Sequence, residues 1–309
     1  MSGHKFTFLL PAYKARYLED ALRSVLNQTY TDFCVIVSDD ASPEPIGEIV
    51  HHFKDNRVSY RRNDVNLGAT NLAVHWNLLL DSCDSEFVIV ASDDDLYAPV
   101  FLERVHSLIQ RYPDVDLYRV TANIIDDKQT KVKEESGKDG LFSTEDFVHH
   151  LLDPYSVLCI GNYVFRTSAL RKIGGFVSFP LAWKSDSATL LALSGNNVAA
   201  TDEVLFSFRM SGLNISSHTW KNADNDRKKI SAIIGFHSWL NKNVNLSIDP
   251  DLDSMIKNRL EGELRSYYWA LSCKDFCRLY EQLAKEKWFL SYRNRLSFIF
   301  GWIRCRFEQ

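Results

Sequence analysis

Three consecutive carboxylates, Asp93, Asp94 and Asp95, follow the apolar run 87–91 in the stretch FVIVASDDDLYAP. Like charges this close repel one another unless protons or a cation compensate them. Carboxylate oxygens suit Mg²⁺ or Mn²⁺, which bind through one or two carboxylates together with substrate phosphates. The cluster therefore predicts a divalent metal that holds a diphosphate. The alternative is a solvated loop in which Asp95 only favours the start of the next helix.

A second acidic pair, Asp39 and Asp40, ends the run FCVIVSDD. The elements that position both groups follow from an alternation of apolar runs with helical patterns such as YLEDALRSVLNQ, which has its apolar residues at helical spacing. We predict strands at 6–11, 33–40, 58–63, 87–92 and 116–123, with helices between them. This order predicts an α/β fold with a mostly parallel sheet that helices cover on both faces. Ligands of such sheets bind at the carboxyl ends of the strands, where both acidic groups fall.

Composition narrows the functional classes. The chain has 309 residues, 45% of them hydrophobic and 25% charged, as in ordinary globular proteins. A net charge of -4 argues against a general nucleic-acid binder. The 6 cysteines form no CxxC pair and are expected to be reduced thiols. Because the first residues do not resemble a signal peptide, and no apolar run reaches the roughly 20 residues of a membrane span, we expect a location in the cytoplasm or on the inner face of the membrane.

Four short motifs stand in a fixed order: PAY at 11–13, SDDAS at 38–42, NLG at 66–68 and SDDD at 92–95. Together they resemble the family 2 glycosyltransferases of the GT-A fold, over residues 5–218. The chain departs from the family pattern twice, since Lys14 replaces a common Asn and Ser92 replaces the first Asp of the DxDD motif. The chain contains neither GxGxxG nor GxxxxGK[ST], so a Rossmann dinucleotide site or a P-loop would lack its phosphate loop.

The resemblance implies a catalytic domain over 1–218, with a nucleotide-sugar half at 1–123 and an acceptor half at 124–218, and then a helical region over 219–309. It assigns the nucleotide pocket to Pro11, Ala12, Tyr13, Asp39, Asp40, Asn66, Gly68, Asp93 and Arg209. It assigns the metal, Mn²⁺ or Mg²⁺, to Asp94 and Asp95, with His218 in place of the family's His, where this chain has Ser211. The residues alone leave plainer roles open for Asp40, Asn66 and Gly68 as turn formers.

The remaining requirement of an inverting sugar transfer is a general base, because the acceptor hydroxyl loses its proton as it attacks. In the family an acidic motif after a GGF turn provides this base. Here GGF lies at 174–176, and the resemblance implies Asp186 as the base, with the metal as Lewis acid for the leaving nucleoside diphosphate. The residues alone leave open that Asp186 only opens a helix. Trp183 packs either against a sugar ring or in the core.

The end of the chain combines aromatic and basic residues. The helical pattern places these on one stripe: Trp288, Phe289, Tyr292, Leu296, Ile299, Phe300, Ile303 and Phe307. Between Lys285 and Arg306 the net charge is +5. This pattern is typical of a helix that lies on an anionic membrane, so residues 285–307 are a candidate for peripheral membrane contact. The alternative is a final helix that docks on the catalytic domain, because the periodicity of the stripe alone does not separate the two.

These observations predict an inverting, metal-dependent glycosyltransferase. It would move a sugar from a nucleotide-diphosphate sugar, a UDP-sugar, to a hydroxyl of a glycan or a lipid-linked acceptor. A nucleotidyltransferase shares the sheet, carboxylates and metal, but it needs a basic Gly-rich loop that PAYKARYLED lacks. A non-catalytic glycan-binding protein is the other alternative, against which the retained Asp94 and Asp186 argue.

Overall fold

The computed structural model describes residues 3–153, 155–212, 222–244, 250–285 and 292–307. The chain divides into two compact units. The first contains Met1–Ser178 and Ser185–His218, and the second contains Phe179–Lys184 and Thr219–Gln309. The short segment Phe179–Lys184, which the sequence places in the catalytic domain, therefore belongs to the second unit.

The first unit holds all ten described strands and seven α-helices. The strands are β1 (Phe6–Ala12), β2 (Phe33–Asp39), β3 (Val58–Arg62), β4 (Phe87–Val90), β5 (Leu96–Tyr97), β6 (Leu117–Ile125), β7 (Lys131–Glu134), β8 (Gly140–Phe142), β9 (Tyr163–Arg166) and β10 (Val198–Arg209). The helices are α1 (Leu18–Leu26), α2 (Ile46–His52), α3 (Gly68–Asp81), α4 (Phe101–Arg111), α5 (Thr144–Leu152), α6 (Thr167–Lys172) and α7 (Ser185–Leu193).

One sheet joins the strands in the order β3-β2-β1-β4-β9-β6-β10-β5, with β7 beside β6 and β8 beside β10. Strands β1 to β4 pair with one another in parallel, and β6 pairs in parallel with β10. Strand β9 lies antiparallel between β4 and β6. The predicted α/β fold with a mostly parallel sheet is therefore confirmed. The antiparallel β9 is the feature that the alternation of strands and helices did not indicate.

Burial explains why the first elements form where the sequence predicts them. Strand β4 is buried along its whole length, as expected for a strand that is covered on both faces. In α1 the predicted apolar stripe is the buried face, consisting of Leu18, Ala21, Leu22, Val25 and Leu26. This face packs in the core with Phe8, Phe33 and Phe101. Removal of this apolar surface from water is the main force that holds the helix to the sheet.

The segment after β6 adds two short strands to the sheet. Its sequence, DDKQTKVKEESGKDG, is polar, and the structure forms β7 and β8 there at the edges of the sheet. The side chains of β7 are largely exposed, so the strand has no apolar alternation that a sequence pattern could show. Its place follows from hydrogen bonding to β6, in which Ile124 pairs with Lys133.

The second unit is helical in its described parts, as expected. Its α-helices are α8 (Ala223–Asn243), α9 (Pro250–Arg265), α10 (Cys273–Lys285) and α11 (Tyr292–Phe307). Aromatic rings form much of its core, since Tyr268 and Phe298 are buried and Phe276 stacks on Trp302 at 4.4 Å between ring centroids. Among the helices that the structure describes, none is long and apolar enough to cross a membrane.

Candidate active site

The carboxyl ends of β1, β2 and β4 lie side by side. In the parallel ladders, Ala12 of β1 pairs with Asp39 of β2, and Leu9 of β1 pairs with Val90 of β4. The motifs PAY, SDDAS and SDDD leave these three strands and therefore meet at one edge of the sheet. The contact is direct, because Asp93 Oδ2 accepts hydrogen bonds from the backbone N–H groups of Tyr13 at 2.8 Å and Lys14 at 2.7 Å.

Asp39 lies under this edge, where three protein groups hold its carboxylate. Its carboxylate accepts hydrogen bonds from the Tyr60 hydroxyl at 2.7 Å and from the Ser42 N–H at 2.8 Å, and it forms an ion pair with Arg62. Burial and the neighbouring carboxylate raise the pKa of Tyr60. The Ser42 hydroxyl in turn donates to the Tyr13 carbonyl at 2.5 Å. Asp39 thereby fixes the turn after β2 against the segment after β1.

Asp40 connects the same strand end to the NLG motif. Its two oxygens accept hydrogen bonds from the N–H groups of Leu67 at 2.9 Å and Gly68 at 2.7 Å. A Cβ at position 68 would lie 3.0 Å from the Asp40 carboxylate, which explains a glycine there. Asn66 accepts a hydrogen bond from the Ala69 N–H at 2.7 Å at the start of α3. These contacts make Asp40, Asn66 and Gly68 the wall of the edge, and their contact with a nucleotide stays a prediction.

Above this wall, Tyr13 is 39% exposed, in contrast to the buried Ala12 and the half-buried Pro11. An exposed aromatic ring beside a buried polar turn provides a flat apolar surface on which a base or sugar can rest. Of the residues that the sequence assigns to the pocket, Tyr13 is therefore the one with a large exposed side chain.

The acidic cluster is held from below by Arg209 at the end of β10. Its side chain is fully buried, and its guanidinium donates hydrogen bonds to the backbone carbonyl of Asp94 at 2.8 Å and to that of Asp126 at 3.4 Å. Its ring neighbour is Tyr17, at 4.4 Å from the guanidinium carbon. A buried guanidinium directed at carbonyl oxygens supports the acidic loop. Contact of Arg209 with the nucleotide, which the family resemblance implies, stays a prediction.

Asp95 and Ser92 explain the departure from the DxDD pattern. The Ser92 hydroxyl donates to Asp95 Oδ2 at 2.6 Å, and the backbone N–H of Arg209 donates to Asp95 Oδ1 at 2.8 Å. The thiol of Cys159 lies 3.9 Å from the same carboxylate. Ser92 therefore anchors the loop where a first Asp would add a fourth negative charge.

Burial gives the three carboxylates abnormal proton affinity. It raises the pKa of Asp93 to about 6, with a further rise from the charge of Asp94 and an opposing effect of the Lys14 and Tyr13 amides. Burial also raises the pKa of Asp94, which the charges of Lys14 and Arg209 oppose. The pKa of Asp95 lies well above its usual value because of burial and the charge of Asp94. The ionised cluster is therefore destabilised by burial and mutual repulsion even with Lys14 and Arg209 nearby, and a bound cation would stabilise its negative charge.

This charge and the hard oxygen donors fit a divalent cation. Within the described residues, no three His, Cys, Asp or Glu side chains converge on a single point. Mg²⁺ or Mn²⁺ typically binds through one or two carboxylates with water and substrate phosphates, so Asp94 with the diphosphate of a donor is a sufficient set. Asp94 stays the candidate ligand that the family resemblance implies, and its role as a metal ligand stays a prediction. His218 lies outside the described residues.

The GGF turn is locked to α3 by a residue that the sequence did not single out. Asn77 donates to the Phe176 carbonyl at 2.9 Å and accepts from the Phe176 N–H at 2.7 Å. Gly174 and Gly175 both have φ of 89°, a left-handed conformation that favours glycine. The pair of hydrogen bonds is visible only in three dimensions, because Asn77 is 99 residues away from Phe176.

Asp186 lies in the first turn of α7, where its Oδ1 accepts the Ser187 N–H at 2.7 Å. Burial raises the pKa of the Cys159 thiol most, and the negative charges of Asp95, Asp186 and Asp94 raise it further. The charge of Asp186 therefore acts on the same thiol that lies beside Asp95, and the role of Asp186 as the base stays a prediction. Trp183 instead belongs to the second unit, where it lies under the Lys229 ammonium at 4.8 Å.

The sheet and the acidic edge define a protein of the GT-A fold. The sequence pattern of Glycosyl transferase family 2 matches residues 7–174, more than half of the chain. The chain belongs to glycosyltransferase family 2.

Two relatives illustrate the range of the family. The chain is 29% identical over 152 residues to the GalNAc(5)-diNAcBac-PP-undecaprenol beta-1,3-glucosyltransferase of Campylobacter jejuni, a match that covers 47% of each chain. It is 27% identical over 122 residues to an uncharacterized glycosyltransferase of Methanocaldococcus jannaschii, which covers 38% of this chain and 41% of the relative. The chain thus spans less than half the length of these relatives.

Solved structures share the fold over nearly the whole chain. S. aureus TarS 1-349 in complex with UDP-GlcNAc has a TM-score of 0.69 at 15% identity and covers 96% of this chain and 89% of that chain. The mannosyltransferase PcManGT of Pyrobaculum calidifontis, in complex with GDP-Man and Mn²⁺, has a TM-score of 0.58 at 16% identity and covers 99% and 87%. At this level of identity the likeness shows the fold.

Proposed function

We propose that this protein is an inverting glycosyltransferase that moves a sugar from a nucleotide-diphosphate sugar to a hydroxyl of a glycan or lipid-linked acceptor. The observation that carries the proposal is the acidic cluster at the joined ends of β1 and β4, with Asp93 bonded to the backbone of the PAY segment. This arrangement puts the acidic cluster, which would hold the metal, beside the exposed ring of Tyr13. A nucleotide-diphosphate sugar carries the two matching groups, a base and a diphosphate.

The proposed reaction is one displacement at the anomeric carbon. The acceptor oxygen forms a bond to this carbon while the bond to the diphosphate oxygen breaks, and the acceptor proton passes to the Asp186 carboxylate. When bound, Mn²⁺ or Mg²⁺ supplies Lewis-acid stabilisation of the leaving diphosphate. Asp94 would hold this ion, with Asp95 kept in place by Ser92 and Arg209. The raised pKa values of the cluster match a site that is built to receive a cation.

Comparisons support the donor and acceptor classes. One structural neighbour was solved with UDP-GlcNAc and another with GDP-Man and Mn²⁺. UDP-GlcNAc and GDP-Man are both nucleotide-diphosphate sugars. We favour a UDP-sugar as the donor of this protein. The Campylobacter relative is named for a diphosphoundecaprenol-linked glycan, which supports a lipid-linked saccharide as acceptor.

Two substitutions test the proposal with separable results. Asp94→Ala removes the candidate metal ligand and should abolish Mn²⁺-dependent binding of UDP-sugar in calorimetry. Asp186→Asn keeps the shape of the base and should leave this binding unchanged, while turnover falls by about 10²–10⁴-fold, the usual contribution of a general base. Asp84→Asn, an exposed aspartate in the same unit, is the matched control and should change neither quantity.

The outcomes distinguish the alternatives. Wild-type protein that binds UDP-, GDP- and dTDP-sugars with Mn²⁺ but neither transfers nor hydrolyses them would favour the non-catalytic glycan-binding alternative. Unchanged Mn²⁺-dependent binding in Asp94→Ala would show that the metal has other ligands. Near wild-type turnover in Asp186→Asn would show that the base is elsewhere.

A further inference from the structure

Helix α11 packs on the rest of the second unit through a face that lies outside the aromatic stripe predicted from the sequence. Phe298 is completely buried, its ring stacks on Phe276 at 5.4 Å between centroids, and Trp302 stacks on the same ring at 4.4 Å. A Cβ at Gly301 would lie 3.6 Å from the Tyr268 ring, so the helix backbone approaches the unit closely at this point. Phe298, Gly301 and Trp302 therefore form the docked face of α11.

Three described residues of the predicted stripe lie outside this docked face, whereas Ile299, a fourth, is half-buried. Leu296 is 37% exposed, Phe300 is 62% exposed and Ile303 is 36% exposed. Their spacing of four and three residues puts them on one side of the helix, and we call these three residues the outer ridge. Trp288 and Phe289 lie outside the described residues. The outer ridge is therefore separate from the docked face of α11.

The charged residues of α11 itself have a single sign. Helix α11 contains four arginines and no acidic residue. Arg295 and Arg304 are exposed. Arginine side chains beside an apolar ridge can extend toward lipid headgroups while the ridge enters the region between headgroups and acyl chains. An anionic lipid surface complements both features, since it offers apolar depth under a layer of negative charge.

We propose that the outer ridge of α11 binds an anionic lipid surface, with Arg295 and Arg304 directed at the headgroups. The inference deepens the proposed function, because a lipid-linked acceptor would be presented at that surface. The inference rests on the proposed function only where it links membrane binding to a lipid-linked acceptor. Vesicle binding itself is measured without donor, acceptor or metal. Failure of one proposal can therefore be told apart from failure of the other.

The test is co-sedimentation of the full chain with vesicles of phosphatidylcholine alone and of phosphatidylcholine mixed with phosphatidylglycerol. We expect binding to the anionic vesicles, and Leu296→Ser combined with Phe300→Ser should weaken it about 100-fold, because two apolar side chains lose their burial. Arg295→Gln combined with Arg304→Gln should weaken it about 30-fold, or about fivefold for each charge. High salt should weaken binding of the wild type only in part, since salt screens the charges and leaves the apolar term intact.

Met255→Ser is the matched control, because Met255 is a 43% exposed apolar residue on the neighbouring helix α9. It should leave vesicle binding unchanged, and an equal loss in this variant would overturn the assignment of the ridge. Circular dichroism and UDP-sugar binding should be as in the wild type for every variant. If the double variant of the outer ridge fails this check, Phe300→Ser alone replaces it. The proposal is overturned by equal binding to both vesicle types, or by ridge variants that bind as the wild type does. It is also overturned if the ridge variants instead abolish a dimer seen by light scattering, because the ridge would then contact a second copy of the chain.

Discussion

The acidic cluster makes the metal-free protein less stable than a neutral cluster would. Asp93→Asn tests this directly. Both backbone amides that hold Asp93 donate to the same oxygen, Oδ2, so the carbonyl oxygen of an asparagine can accept the same two hydrogen bonds. The substitution therefore removes the charge and keeps the shape. The change in the free energy of unfolding then measures the cost of burying that charge.

The magnitude follows from the raised pKa. Asp93 is buried, and its pKa is raised from 3.8 to about 6 in the folded chain. At about 1.36 kcal/mol per pKa unit, ionised Asp93 lowers the free energy of unfolding by about 3 kcal/mol. Because the folded-state pKa is raised, the wild type keeps its full stability below pH 4. It loses the 3 kcal/mol as the pH rises from about 4 to about 6, where the unfolded chain is ionised and the folded chain is still protonated.

Urea denaturation in chelator-treated buffer at a series of pH values measures the difference. We expect Asp93→Asn to be about 3 kcal/mol more stable than the wild type at pH 8, with an unchanged m-value, and equally stable near pH 4. Asp84→Asn, which removes an exposed charge, should follow the wild type at every pH. An Asp93→Asn protein that is no more stable than the wild type at pH 8 would refute the reasoning. A difference that does not shrink toward pH 4 would show that the gain has a cause other than charge.

Two further substitutions separate support of the site from contact with the ligand. Arg209→Met removes the buried cation beneath the acidic loop and should lower the free energy of unfolding by about 3–5 kcal/mol at pH 8. The loss should be smaller at pH 5, where the carboxylates are partly protonated. Urea denaturation at both pH values checks this, and a pH-independent loss would contradict it. Tyr13→Ala removes an exposed ring and should change stability by less than about 0.5 kcal/mol. Because stacking of a nucleobase on an aromatic ring contributes about 1–3 kcal/mol, Tyr13→Ala should weaken UDP binding at least about fivefold in calorimetry. Unchanged affinity would show that the uracil ring binds elsewhere.

Much of the architecture follows from local patterns that the sequence displays. The apolar period of residues 17–28 predicts both the helix α1 and its buried face. The apolar runs before Asp39 and Asp93 predict buried strands, and the alternation with helices predicts a parallel arrangement with both acidic groups at one edge. These properties depend on residues within one turn or one strand of each other. For this reason a single sequence suffices to infer them.

The partners of each charged group depend on residues far away in the chain. Arg209 is buried under Asp94 across 115 residues, and Asp93 binds the backbone of Tyr13 across 80 residues, so neither contact leaves a local pattern. The roles of Asp39 and Asp40 as supports of the strand end also appeared only once their hydrogen bonds were visible. Position in the folded chain decides whether an arginine clamps a ligand or holds a loop, because burial determines which acceptors it can reach.

The last helix shows the same division. Its sequence establishes an amphipathic pattern and a net positive charge, which fit both a docked helix and a helix on a membrane. Tertiary packing decided between the faces: Phe298 and Trp302 contact the second unit, and Leu296 and Phe300 remain exposed. A helix with apolar residues on two sides has no single face that periodicity alone can assign to the interior. The neighbouring rings select the docked face, because only there can the aromatic side chains stack and leave water.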